Sequence, residues 1–105
     1  KFYNYLPDNI KGTINASPPS NVLVGSTDTV VVAENLNRQG LVLTNVSGST
    51  IYLALMGMRS TLHAGITLNP NGGTWVMDEY NYNNSAINGI AHSAGNIVAI
   101  QEFIY

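Results

Sequence analysis

The chain has 105 residues, a net charge of −2 and no cysteine, which suits one small domain and excludes disulfides and cysteine-based zinc sites. Only 10% of its residues are charged, against about 25% in a typical soluble domain, while 45% are hydrophobic. Its few cations are scattered and form no basic patch, and no apolar run approaches the ~18 residues of a membrane span. We therefore expect neither nucleic acid nor membrane as a partner. A nearly neutral, polar surface favours close contact between proteins instead.

Residues 1–20 differ from the rest of the chain. Pro7, Pro18 and Pro19 remove backbone donors and favour extended conformations around them. The segment also contains several apolar side chains, of which those nearest its start are Phe2, Tyr3, Tyr5 and Leu6. We interpret residues 1–20 as an extended N-terminal arm that packs on its own domain or on a neighbour and contributes to assembly. A frayed terminus is the alternative.

From residue 21 onward, short apolar runs alternate with turn residues, as is typical of β-strands. The predicted strands are 22–24, 29–33, 41–45, 50–56, 64–68, 74–77, 86–91 and 96–105. No window has the periodicity of an amphipathic helix. About eight short strands with Gly- and Asn-rich turns predict that residues 21–105 form one all-β domain, an antiparallel β-sandwich of the jelly-roll type or a small barrel.

The last predicted strand, 96–105, is apolar on both sides. One side carries Ile97, Ala99, Gln101, Phe103 and Tyr105, and the other carries Val98, Ile100, Glu102 and Ile104. Such a strand either lies inside a sheet that is covered on both faces or uses its outer face as an oligomer interface. For a two-layer sandwich the interface is the natural explanation. We therefore predict subunit contacts at Phe103, Ile104 and Tyr105.

Catalytic chemistry finds little support in this sequence. The only two histidines, His63 and His92, lie at opposite ends of different predicted strands and in no recognisable catalytic motif. A histidine-based metal site would need a third ligand, which no spacing suggests. We expect both side chains to face solvent at strand ends, and we predict no catalytic residue, no metal and no cofactor.

The polar loop 78–84 has several interpretations. Its Asp, Glu and Asn oxygens could surround Ca²⁺, but they lack the regular spacing of a calcium loop, so a solvated polar loop is the simpler interpretation. Trp75, Tyr80 and Tyr82, with the neighbouring Asn residues, could stack on and hydrogen-bond a sugar. The same aromatic residues are also enriched at subunit contacts.

Arg38 and Glu102 are charges beside strongly apolar segments. A charge that is drawn into a core must be paired. We predict that Arg38 pairs with Glu102, or alternatively with Glu34.

The stretch from Arg38 to the C-terminus also has a recognisable order of features. An Arg precedes a strand that ends in Asn45, a strand containing Tyr52 follows, a Gly/Pro turn precedes Trp75, and the last strand carries Glu102. This order resembles small β-sandwich modules in accessory virion proteins of tailed bacteriophages, such as head-decoration proteins and head or tail fibres. The resemblance implies a virion surface protein, commonly a trimer, held to the shell or fibre by an N-terminal segment.

Together these observations predict a non-enzymatic viral structural protein that decorates or extends a capsid surface and stabilises the particle through subunit contacts. Its expected partners are further copies of itself, as a homotrimer, and a major capsid or fibre protein. The alternative is a receptor- or glycan-binding module of a virion fibre that is used in host attachment.

Overall fold

The computed structural model describes residues 14–105, which form nine β-strands and no helix. The strands are β1 (Asn15–Ala16), β2 (Ser20–Val24), β3 (Thr29–Val32), β4 (Arg38–Asn45), β5 (Ile51–Ala54), β6 (Ile66–Leu68), β7 (Gly73–Val76), β8 (Ile87–Ala91) and β9 (Asn96–Ile104). Each of the eight predicted strands overlaps one of these. The all-β prediction is therefore confirmed.

The strands form two antiparallel sheets packed as a sandwich. In the five-stranded sheet the order is β2-β9-β4-β7, with the short β1 also pairing with β9. In the four-stranded sheet the order is β3-β8-β5-β6. From β2 onward, every connection except β5–β6 crosses from one sheet to the other. Leaving out β1, this order is that of a jelly roll, an arrangement of eight strands in two sheets.

The core lies between the two sheets and follows the alternation of side chains along each strand. Leu41 and Leu43 of β4 face Ile51 and Leu53 of β5 across the sandwich, and all four are at most 1% exposed. Trp75 of β7 joins them. Their neighbours on each strand point outward, so the sandwich has one inner and two outer surfaces.

Several strand limits differ from the sequence prediction, and the largest difference is at the start of β4, where the sequence predicted a break over residues 34–40. β4 begins at Arg38 rather than at residue 41, because a bulge between Arg38 and Gly40 lets the strand continue pairing with β9. The part of the predicted arm that the structure describes ends in the sheet, since Asn15 pairs with Ile104 and β2 begins at Ser20. The predicted arm contacts at Phe2, Tyr3, Tyr5 and Leu6 lie outside the described residues.

Candidate assembly surface

β9 is the central strand of its sheet and has two distinct sides. It pairs with β2 along one edge and with β4 along the other. Val98 and Ile100 point inward to the core, together with Glu102. Ile97, Ala99, Gln101 and Phe103 alternate with them and point outward. The alternation deduced from the sequence is therefore present, and the outer side belongs to a sheet surface.

We call this surface the open face. It consists of the outward residues of β2, β9, β4 and β7, namely Asn21, Leu23, Ile97, Ala99, Gln101, Phe103, Val42, Thr44, Thr74 and Val76. Leu23 is 60% and Val76 55% exposed. Among these described strand positions there is no Asp, Glu, Lys or Arg. The open face is thus a neutral and largely apolar sheet surface that keeps large side chains in contact with water.

A hollow of about 280 Å³ opens on this face near the end of β9. Its walls are mainly apolar and include Val42, Val76 and Phe103. Ile14, the first residue that the structure describes, also lines it. The hollow is thus a concave apolar feature of the open face.

The residues predicted at the subunit interface do not share one face. Phe103 points to the open face and lines the hollow. Ile104 follows it with the opposite orientation and is half-buried. Tyr105 is 40% exposed, and its backbone N–H donates to the Asn37 carbonyl at 3.3 Å. Of the three, Phe103 is the residue placed for contact through the sheet surface.

The outer surface of the four-stranded sheet is different, because residues 55–65 lie over its two middle strands. We call this segment the covering loop. Tyr52 of β5 and Asn88 of β8 point outward beneath it, and each is only 8% exposed. Asn88 Nδ2 donates to the Met58 carbonyl at 3.0 Å, and the Tyr52 hydroxyl lies 3.2 Å from His63 Nδ1. The covering loop is thus attached to side chains of both strands.

Asp28 anchors the middle of the covering loop. Its carboxylate accepts hydrogen bonds from the Ser60 hydroxyl and from the Ser60 backbone N–H, the latter at 2.7 Å. Asn88 Nδ2 donates to its other oxygen at 3.3 Å. The hydrogen bond from the Ser60 hydroxyl is the main cause that lowers the pKa of Asp28, and it outweighs the opposing effect of burial.

Arg38 is fully buried and organises the end of the sandwich where β4 begins. Of the two partners considered for it, the structure places Glu102 against the guanidinium, with Nε donating to Oε2 at 2.7 Å. The other guanidinium nitrogens donate to the carbonyls of Ala33, Asn83 and Ser85. Arg38 therefore ties two loops to β9, which is a structural role.

The aromatic residues considered for sugar binding do not form one surface. Trp75 is 9% exposed and packs in the core, so its ring faces are not available to a sugar. Tyr82 donates from its hydroxyl to the Arg38 carbonyl at 2.6 Å, and burial raises the pKa of that hydroxyl. Tyr80 is 90% exposed. A shared three-residue sugar surface is therefore incompatible with this geometry, which leaves Tyr80 alone.

Polar groups of the loop 78–84 form hydrogen bonds with one another. Asp78 Oδ1 accepts hydrogen bonds from the backbone N–H groups of Tyr80 and Asn81, at 2.9 and 3.1 Å. Asn81 Oδ1 accepts from the Asp78 N–H at 2.7 Å. Because these oxygens close the turn, their arrangement corresponds to the solvated polar loop rather than to a set of oxygens converging on Ca²⁺.

The chain was also compared with known proteins. No family model, no curated protein and no solved structure matches it. Within residues 14–105, no helix is long and apolar enough to cross a membrane.

Proposed function

We propose that this protein is a non-enzymatic structural subunit that assembles by burying its open face against a neighbouring copy of the same chain. The observation that carries the proposal is the contrast in exposure between the open face and the surface beneath the covering loop. Monomeric proteins rarely expose large contiguous apolar patches, and such patches mark interaction sites.

The size of the apolar side chains supports this proposal. Leu23, Val76 and Ile97 are 60%, 55% and 39% exposed, and the hollow beside Phe103 adds a concave site for a partner's side chain. Burying a Val, Leu or Ile side chain fully is worth about 1.5–3 kcal/mol, less here because part is already buried. Ordering costs reduce the gain further. The free energy of a contact through this face would therefore come from several partly buried apolar side chains on each partner.

The absence of charge favours a second copy as the occupant. Close to the symmetry axis of a dimer or trimer, a residue meets its own equivalents, so a charge at that position would be repelled by its copies. The described strand residues of the open face contain no charged side chain. Since the whole chain carries only −2, copies approach one another with weak repulsion.

The described part of the N-terminal arm starts beside this face. Ile14 lines the hollow, and the residues that precede it in sequence include Phe2, Tyr3, Tyr5 and Leu6. We propose that these side chains add apolar contacts between subunits or to a shell. This part of the proposal places the arm and the open face in one assembly interface.

The setting we propose is the surface of a virion, as a homotrimer on a major capsid or fibre protein. The support is the resemblance of residues 38–105 to accessory virion modules, together with a jelly-roll fold, which is frequent among capsid domains. A subunit that binds only the assembled lattice stabilises that lattice by mass action. A mass-spectrometric inventory of purified particles tests this setting separately from self-association.

Self-association is tested by light scattering coupled to size-exclusion chromatography. We expect the wild type to have about three times the 11.3 kDa mass of the monomer. Val76→Lys puts a charge on the open face and should give a folded, lower-mass species. Val30→Lys is the matched control, because Val30 lies on an edge strand of the other sheet with 52% exposure, close to the 55% of Val76.

Two results contradict this proposal. A wild type that remains monomeric at high micromolar concentration would rule out the self-associating subunit. An unchanged mass for Val76→Lys would place the interface on another surface. The glycan-binding alternative depends on Tyr80, which is 90% exposed, and predicts glycan-array binding that Tyr80→Ala removes.

A further inference from the structure

The two histidines of the chain meet in the folded structure, although 29 positions of sequence separate them. His63 lies in the covering loop, and His92 directly follows β8 (Ile87–Ala91). Their ring centroids are 4.9 Å apart, with an angle of 53° between the ring planes. Both residues are exposed to solvent. The pair is therefore accessible, and it does not belong to the open face.

Tyr52 forms the floor beneath this pair. Its ring makes edge contacts with both imidazoles, with centroids 5.3 Å from His63 and 6.3 Å from His92. Its hydroxyl is 3.2 Å from His63 Nδ1. When Nδ1–H donates to the phenolic oxygen, the lone pair of His63 Nε2 is free. Metal-binding histidines are commonly oriented in this way, by a hydrogen bond from the nitrogen that does not bind the metal.

The backbone holds His63 in an uncommon conformation. Its φ of 64° lies in the left-handed region, which non-glycine residues rarely adopt. Gly65, two residues later, has a φ of 80°, and a Cβ there would come 2.5 Å from the Leu53 carbonyl oxygen. The approach of the covering loop to β5 thus fixes the position from which His63 projects. Residues held in this way cluster at binding sites, although the conformation alone does not define one.

The spacing of the rings fits a shared metal ion. An imidazole nitrogen lies about 2.0–2.1 Å from Zn²⁺, which places the ring centre about 3.2 Å from the ion. When the directions from the ion to the two rings make an angle of about 90–110°, the ring centres lie about 4.5–5.2 Å apart. The 4.9 Å between His63 and His92 falls within this range.

We propose that His63 and His92 together bind one late first-row divalent cation, Cu²⁺, Ni²⁺ or Zn²⁺, with water at the remaining positions. Imidazole nitrogen suits these ions, whereas Mg²⁺ and Ca²⁺ require oxygen ligands. Within residues 14–105, no group of three or more His, Cys, Asp or Glu is placed to hold a metal. The site is therefore open, with two protein ligands. The bound ion links the covering loop to the β8–β9 turn.

Isothermal titration of the purified protein with Cu²⁺, Ni²⁺, Zn²⁺ and Mg²⁺ chlorides tests this site. The chain has no cysteine and only these two histidines, so the assay has little background from other strong ligands. We expect one equivalent to bind, with Cu²⁺ tightest and no measurable binding of Mg²⁺. His63→Ala and His92→Ala should each weaken Cu²⁺ binding at least tenfold. Tyr52→Phe removes only the orienting hydroxyl and should weaken it less.

Electron paramagnetic resonance distinguishes a shared ion from independent binding. With one equivalent of Cu²⁺, the wild type should show coupling to two imidazole nitrogens and each single variant to one. Circular dichroism of each variant verifies that it is folded. A single imidazole nitrogen in the wild type would overturn the proposal. So would Cu²⁺ affinities of both alanine variants within twofold of the wild type, or equal binding of Mg²⁺.

Discussion

The two outer surfaces of the sandwich differ in how far the chain itself covers them. Beneath the covering loop, the outward residues Tyr52 and Asn88 are hydrogen-bonded to the chain's own loop and are each 8% exposed. On the open face, Leu23 and Val76 remain more than half exposed. Antiparallel sheets commonly leave one face in water, with polar side chains on it, whereas the open face is largely apolar. This difference supports the proposal that the open face is the assembly surface.

The two outer surfaces also differ in the polarity of their side chains. The strands beneath the covering loop present polar groups to it, because a loop brings backbone N–H and C=O groups that need partners. Asp28 and Asn88 supply such partners for Ser60 and Met58, and the Tyr52 hydroxyl contacts the His63 side chain. The loop's own outer side exposes Met56 and Met58. The open face presents mainly Val, Leu, Ile and Phe, which suit the apolar surface of another folded subunit. The following predictions test this contrast, from the largest expected effect to the smallest.

Arg38→Met should have the largest effect on the free energy of unfolding, because Arg38 lies in the interior that supports both outer surfaces. The substitution leaves the Glu102 carboxylate and three carbonyl acceptors without the guanidinium. Breaking a buried pair in this way costs about 3–5 kcal/mol. Urea unfolding measures the loss. Arg59→Met is the control, since Arg59 is exposed, and should change the free energy of unfolding by about 0.5 kcal/mol or less. Equal effects of both substitutions would contradict the role given to Arg38.

Asp28→Ala should release the covering loop from its anchor. It removes the acceptor of two hydrogen bonds from Ser60 and one from Asn88, which we expect to cost about 1–3 kcal/mol. Ser60→Ala keeps the backbone bond to Asp28 and should cost less, about 1 kcal/mol. Hydrogen exchange provides the local readout, with faster exchange at residues 55–65 and unchanged exchange in β4 and β9. Unaltered exchange of the loop would show that Asp28 does not hold the cover in place.

The same anchor predicts a dependence of stability on pH. The folded-state pKa of Asp28 lies below its ordinary value, so its contribution to stability is present above the unfolded pKa of about 3.9. That contribution is lost as the pH falls through the folded-state pKa. The unfolding temperature of the wild type should therefore fall between pH 6 and pH 2, and that of Asp28→Ala should fall less. Parallel pH profiles would contradict this assignment.

Val76→Lys and Val30→Lys should have the smallest effects on the fold itself. Both side chains are about half exposed on edge strands, so each change should alter the unfolding free energy of the monomer by about 0.5 kcal/mol or less. At concentrations where the wild type is assembled, Val76→Lys alone should lower the unfolding temperature, because association stabilises the folded state. A similar decrease in Val30→Lys would remove the distinction between the two outer surfaces.

The sequence was sufficient for the strands and for the alternation along them. The two sides predicted for the last strand, with Ile97 and Phe103 on one and Val98 and Ile100 on the other, are those that β9 has in the structure. The same reasoning could not show that β4 starts at Arg38. In the sequence alone, Gly40 looks like an interruption between strands. Only its pairing with Phe103 across a bulge shows that the strand continues.

The sequence by itself determined the all-β class, the strand positions and two apolar sides for the last strand, because these depend on the local period of two residues per strand. Only the tertiary structure decided that Trp75 is core, that the covering loop occupies one outer surface, and that His63 lies beside His92. These features depend on which strands become neighbours and where a long loop returns. They come from contacts between distant residues, which no local pattern encodes.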